Sequence, residues 1–328
     1  MKKKHILSCT LFLAFCLMAC EGPSSGSKAQ IQFEITENNF SEDQRVKTKH
    51  VIQKRLESLG ASNIEITEDQ KNIVANYTKG ADSVLTWQSF QTIGKLEFFE
   101  VCNKKEILYK YLDKTYASKL KSDEKITILK DDEIELNLEE AVNFLGIIEL
   151  NFNFNEDPIF GYVAEKHKAR AEELLIQKEP VFISALKRRV KFLLGKPDAN
   201  YKQGKYPLHA VYVTSTNEAP LDGSYVTEAG VSDGHIENRY VINLQMNKEG
   251  AIIWERLTEK TYQERGNIAI VIDDVVYSAP SVNTGKIVGG NTQVSGNFTR
   301  GEATILASII RSGVLPNVKI VKMQTVKE

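Results

Sequence analysis

The longest apolar run in this chain sets the first limit on what it can fold into, and that run is too short to cross a membrane. Ile6 to Met18 spans 13 residues, against the ~20 that an α-helix needs to cross about 30 Å of hydrocarbon. No later run approaches that length, so the rest of the chain must bury its apolar residues by folding on itself. Lys2, Lys3 and Lys4 precede the run, and Leu17-Met18-Ala19-Cys20 ends it. A basic start, a short apolar centre and a small residue before the cleavage point make residues 1–19 an export signal. Leu-Met-Ala-Cys has the form of a bacterial lipobox, in which the cysteine becomes the first residue of the mature chain. Cys20 is therefore the expected lipid (palmitate) attachment site, with an ordinary signal peptide as the alternative.

Cleavage after Ala19 would leave 309 of the 328 residues, enough for two or three lobes. Three of the 42 basic side chains go with the signal, leaving 39 against 43 acidic ones. That balance argues against nucleic acid, which needs a basic face. Cys9 and Cys16 also leave, so Cys102 is the one remaining free thiol and no internal disulfide can form. It follows the apolar stretch Leu96–Val101 and reads as a buried thiol rather than a nucleophile.

Residues 20–30, rich in Gly, Ser and Pro, read as a flexible tether. Strand and helix signals then alternate over 31–102. Ile31–Ile35 has period two, and Ser41 with Gln44 makes a capping box. Ile52, Leu56 and Leu59 form a helical stripe that stops at Gly60. Ile64–Ile66 and Asn72–Tyr77 read as strands, Asp82 or Ser83 caps a helix carrying Trp87 and Phe90, and Leu96–Val101 reads as a fourth strand. The order βαββαβ is the ferredoxin-like pattern. Residues 103–207 form a less regular insertion, with a helix at Val163–Gln177 and another starting near Pro180. From 208 to 316 the signals are clear again: a helix over Glu249–Arg265, a hairpin turning at Asp273-Asp274, and a helix opened by the Thr299/Glu302 capping box. Residues 317–328 carry a closing strand that returns to the base. The expected class is α+β, a ferredoxin-like base with an inserted α+β head and no transmembrane helix in the mature chain.

Catalytic patterns are missing from the sequence. His50, His167, His209 and His235 are widely spaced, without His-Glu-x-x-His or Cys-x-x-Cys. Ser278 sits in Tyr-Ser-Ala-Pro, not in a nucleophile elbow. Gly285, Gly289, Gly290 and Gly296 lack the spacing of a phosphate loop. The acid pairs Glu139-Glu140 and Glu172-Glu173 are adjacent and form no dyad, and Asp131-Asp132-Glu133 reads as a solvated turn. No enzyme activity, metal or cofactor is expected.

Several segments resemble a known family. Leu221-Asp222-Gly223, Glu249-Gly250-Ala251, Ile268–Asp273, Tyr277-Ser278-Ala279-Pro280, Gly296-Asn297-Phe298-Thr299, Glu302-Ala303 and Arg311–Pro316 are similar to the head of the first periplasmic domain of SecD. Val51–Leu56, Leu59-Gly60 and Gly94–Phe98 resemble the base of that domain. Gly161-Tyr162-Val163 and Ala219–Gly223 look most like the long form found in Bacteroidota. One departure is Asp274, where the family has Gly, which leaves the turn type open.

The resemblance implies a non-catalytic, periplasm-facing module that engages unfolded or translocating polypeptide, or the Sec translocase and other envelope proteins. The membrane is reached through lipid, without the membrane helices that carry the family's proton coupling. A scaffold for an unrelated envelope complex is the alternative. The expected contact region runs from Tyr277 to Thr299, with Tyr277, Ser278, Val282, Val288 and Phe298 as candidates, although Phe298 also suits a core position.

Overall fold

The computed structural model describes residues 26–80, 82–107, 147–151, 157–197, 204–234, 239–315 and 317–326. The signal, Cys20, the first part of the tether, residues 108–146 and His235 lie outside the described residues. The described chain divides into two compact units: residues up to Ile93 together with those from Val314, and Gly94–Gly313.

The first unit contains strand β1 (Lys28–Ile35), helix α1 (Glu42–Ser58), strands β2 (Ser62–Glu68) and β3 (Asn72–Thr78), helix α2 (Ser83–Ser89) and a closing strand, Val318–Thr325. Its sheet runs closing strand, β1, β3, β2, and each pairing is antiparallel. Strand β1 alternates as period two requires, burying Ala29, Ile31 and Phe33 against Ile52, Leu56, Ile73 and Phe90. The Ser41/Gln44 capping box forms at 2.7 and 3.3 Å. Strand β1 begins at Lys28, three residues inside the segment read as tether, because Lys28–Gln30 pair with Asn76–Thr78.

The fourth strand of this sheet is not Leu96–Val101, as the local pattern suggested, but the closing strand. Leu96–Glu100 is buried at every position, as a strand covered on both faces must be. The closing strand leaves most of its residues in water, as suits a sheet edge.

Arg55, on α1, is 0 % exposed. Its guanidinium donates to the carbonyl oxygens of Ser89 (2.9 Å), Thr92 (2.8 Å) and Ile93 (3.3 Å) and lies 5.5 Å from the centre of the Phe90 ring. A helix of seven residues leaves its last carbonyls without intrahelical donors, and Arg55 answers both that need and the turn that follows.

The second unit opens with β4 (Leu96–Glu100) and continues through β5 (Ile148–Leu150), β6 (Gly161–Val163), α3 (Lys168–Leu186), β7 (Val190–Gly195) and β8 (Tyr206–Tyr212). Then come β9 (Leu221–Asp222), β10 (Val226–Asp233), β11 (Tyr240–Met246), α4 (Lys248–Gln263), β12 (Ile268–Ile272), β13 (Val275–Ser278), β14 (Asn291–Phe298) and α5 (Arg300–Ser312). An eight-stranded sheet runs β5-β6-β8-β7-β13-β12-β4-β9, and a second, three-stranded sheet runs β10-β11-β14.

The largest apolar cluster joins Leu96, Phe98 and Ile270 of the first sheet to Ile242 and Val294 of the second, with Trp254, Leu306 and Ile310 from α4 and α5. Phe98 and Trp254 meet edge to face at 5.3 Å. Strands β5, β6 and β7, from the segment read as an insertion, share one sheet with β12 and β13. Helix α3 also runs straight through Pro180, where a helix start was expected; proline lacks the N–H for one i→i−4 bond, and the flanking turns continue without it.

The β12–β13 turn settles the question left by Asp274. Asp273 and Asp274 have φ of +51° and +62°, the left-handed pair of a type I′ turn. Asp tolerates this conformation at a cost, which polar contacts offset. The Asp273 carboxylate accepts from the main-chain N–H groups of Gly94 (3.0 Å) and Lys95 (2.8 Å), and Lys191 reaches Asp274 at 2.6 Å.

Replacing Arg55 with Met keeps an unbranched stem in the core and removes the donors. The buried carbonyl of Ser89 and the partly buried ones of Thr92 and Ile93 then lose those partners, and Arg55→Met should lower stability by ~2–4 kcal/mol. Urea denaturation of the purified chain would measure this, and a change below ~0.5 kcal/mol would mean that water replaces the guanidinium at no cost.

Candidate functional site

The segment from Tyr277 to Thr299 runs from the end of β13 through a loop over 279–290 into β14. Main-chain and side-chain bonds pin the loop along its length. Ile268 N–H donates to Pro280 O (3.1 Å) and Val282 N–H to Gly266 O (3.2 Å). Asn267 Nδ2 donates to Ala279 O and to Ser281 Oγ, both at 3.0 Å. Farther along, Lys286 pairs with Glu255 at 2.7 Å, and Ile287 N–H donates to Thr258 Oγ1 at 3.0 Å. At the loop's end Gly290 has φ +71°, and a Cβ there would lie 2.9 Å from that of Ala251. Only glycine passes this point without displacing α4.

These ties decide where the five candidate side chains go. Phe298 is 5 % exposed and belongs to the core, its ring folded over Gly296, where a Cβ would come within 2.8 Å of it. Val282 packs against the same core. Tyr277 is half-buried, with Lys196 Nζ 4.2 Å from its ring centre. Desolvation lowers the Lys196 pKa, partly countered by Glu302 at 4.0 Å. Ser278 Oγ is buried without a hydrogen-bond partner. Val288 alone of the five stands out in water, 59 % exposed. The five do not form one exposed surface.

The period-two pattern of β14 was the signal for Phe298. Val294 and Phe298 fall on the buried face, and Asn291, Gln293 and Ser295 on the other. On that outer face the sequence had shown nothing, yet a polar row crosses the three strands there. Gln293 Nε2 donates to Asn243 Oδ1 (3.1 Å), and Asn243 Nδ2 donates to Ser232 Oγ (2.8 Å).

Two buried ionisable groups were also not foreseen. Glu100, 5 % exposed, receives Arg188 on both oxygens (2.9 and 3.0 Å) and Lys260 at 2.6 Å. Burial resists its ionisation, but these donors outweigh burial and hold its pKa below the usual carboxylate range. The Arg188 guanidinium lies 3.3 Å from the centre of the Tyr212 ring. The group braces β4, β8, α4 and the turn before β7. Cys102 is buried nearby, and desolvation pushes its thiol pKa well up, which keeps it protonated and unreactive. His209 is buried on β8 with Nδ1 3.1 Å from Pro158 O, so Nδ1 carries the proton and donates. Burial lowers its pKa to about 4.

Among the described residues no three His, Cys, Asp or Glu side chains converge as metal ligands, and no helix is long and apolar enough to cross a membrane.

Residues 199–317 match the family model described as the SecDF P1 head subdomain. Those residues resemble the head of SecD. The chain is 35% identical over 170 residues to the protein translocase subunit SecD of Rhodothermus marinus, covering 51% of this chain and 26% of that protein. The SecD of Calditerrivibrio nitroreducens is 27% identical over 313 residues, covering 86% of this chain and 58% of that one. The chain thus spans between a quarter and three-fifths of the length of these curated relatives. A solved structure described as a membrane component SecDF that enhances protein export aligns with a TM-score of 0.47 at 17% identity, over 90% of this chain and 100% of that one. The matched segment begins ahead of β8 and ends just past α5, so the SecD-like head takes in the 277–299 loop and the three-stranded sheet.

His209 makes the stability of this chain depend on pH. Its folded pKa of about 4 lies below the ~6.5 of an unfolded histidine, so on acidification the unfolded chain takes up the proton first. The contribution is complete above about pH 6.5 and is lost as pH falls toward 4, roughly 2 kcal/mol between pH 7.5 and 5. Urea midpoints at those two pH values should fall in the parent and change less in His209→Gln. Equal losses in the two proteins would remove His209 as the cause.

Proposed function

We propose that this chain is a non-catalytic, lipid-anchored binding module facing the periplasm, where it engages exported polypeptide or the Sec translocase. The observation that carries this reading is the match of residues 199–317 to the SecDF P1 head subdomain. Relatives over the rest of the chain are named subunits of the protein translocase. The signal over 1–19 and Cys20 supplies the anchor in this reading. Contact with a mobile polypeptide suits a surface with few charges and one projecting apolar side chain, and Val288 at the tip of the pinned loop is such a side chain. The second reading is a scaffold in which a SecD-like head, over the matched residues 199–317, serves another envelope complex.

A photo-crosslinker at Val288 in the full chain, expressed in its native envelope, separates the two. Adducts with exported polypeptides or Sec components are expected. Adducts confined to a different envelope complex would replace the first reading with the second. In the same cells Cys20→Ser should move the protein out of the membrane fraction, and unchanged membrane recovery would remove the lipid anchor.

A further inference from the structure

We infer that the open edge of β14 is where an extended polypeptide adds as a fourth strand to the three-stranded sheet. The inference rests on the polypeptide-binding reading and gives it a location. Among the described strands β14 pairs only with β11, antiparallel, at one end of the order β10-β11-β14. Met246 N–H donates to Gly290 O at 2.9 Å. Main-chain groups alternate in direction along an antiparallel strand, so from Gly290 onward Thr292 and Val294 turn theirs toward β11. Asn291 and Gln293 turn theirs to the open side, ahead of the register shift between Val294 and Phe298, and Asn291, Gln293 and Ser295 are all exposed.

The two edges of this sheet differ. Strand β10 carries Glu228 and Asp233, charges of the kind that keep other strands away from an edge, while both edge strands shift register once against β11, β10 near Val226 and β14 between Val294 and Phe298. Strand β14 reads Asn-Thr-Gln-Val-Ser-Gly-Asn-Phe, eight residues without a charge or a proline. An edge of alternating N–H and C=O groups offers another extended backbone a ladder of hydrogen bonds, whatever its sequence.

The neighbouring side chains narrow the partner further. Side chains of an added strand on the outer face would meet the neutral Gln293–Asn243–Ser232 row. Those on the inner face would extend the line of Ile242 and Val294, which are register partners. The edge therefore favours a segment of alternating polar and apolar residues with its apolar side chains still free. A second copy of this chain lacks them, because Val294 and Phe298 of its own β14 are already buried. Such a pair would add little of the apolar area that a stable dimer requires.

The test uses the full chain and a fluorescein-labelled heptapeptide alternating Thr and Val, followed by anisotropy. Binding by the parent should weaken at least tenfold in Gln293→Pro and in Ser295→Lys, and at least tenfold when alternate peptide amides are N-methylated. Glu228→Lys, on the far strand and outside that row, should bind as the parent does. Should Gln293→Pro fail to fold, Ser295→Lys and the N-methylated peptide still decide the matter. Equal binding by the edge variants and by the N-methylated peptide would overturn the edge while leaving polypeptide binding intact. Absence of binding in the parent, to this peptide and to a reduced and alkylated unfolded protein alike, would overturn both. A parent dimer in sedimentation that Ser295→Lys dissolves would overturn the inference in favour of a second copy.

Discussion

The first unit depends on one pairing: β1 with the closing strand at the far end of the chain. Strand β1 lies between β3 and Val318–Thr325, with Phe33 opposite Ile320 and Ile31 opposite Met323. Without the closing strand, one side of β1 has no ladder partner, and Ile320 leaves the core. Over 200 residues separate α2 from that strand. Closing so long a loop is less costly than its length suggests, because loop entropy grows only with the logarithm of length, and here the intervening residues fold into a unit of their own. The two ends of that excursion are held side by side, with Leu315 N–H donating to Ile93 O at 2.7 Å. The chain therefore reads as a ferredoxin-like domain with a second domain inserted before its last strand.

Local signals for this plan were legible, and the long-range ones were not. Both capping boxes, the Ile52/Leu56/Leu59 stripe, the hairpin at 273–274 and the buried face of α5 all depend on neighbours a few residues apart. Leu96–Glu100 also announced itself as a strand, but strand propensity does not say which sheet a strand enters. Its unbroken burial, with two glutamates included, marks a central position that alternation would have denied it. Arg55 looks in sequence like any basic residue in the last turn of a surface helix, and nothing local shows that the end of α2 lies above it. Glu100 and His209 are similar cases: each is a polar residue on a strand whose burial is compensated by groups distant in sequence.

The candidate region repeats the contrast. Its place in the chain was legible, because loop, strand and cap follow one another between Tyr277 and Thr299. Which side chains face outward was not, since apolar residues of a loop can line a core or a contact surface. The structure turns Phe298 and Val282 inward, leaves Val288 outside, and among the described strands leaves β14 at one end of its sheet. An edge of that kind, in the reading proposed above, would recognise conformation more than sequence.

The two-part plan is tested most directly by hydrogen exchange on a chain ending at Gly313, compared with the full chain. Removal of the closing strand should strip protection from amides of β1 and β3 while β4, β11 and β12 keep theirs. Persistent protection of Ile31, Phe33 and Ala75 in the shortened chain would show that another segment completes the sheet, and would contradict the account.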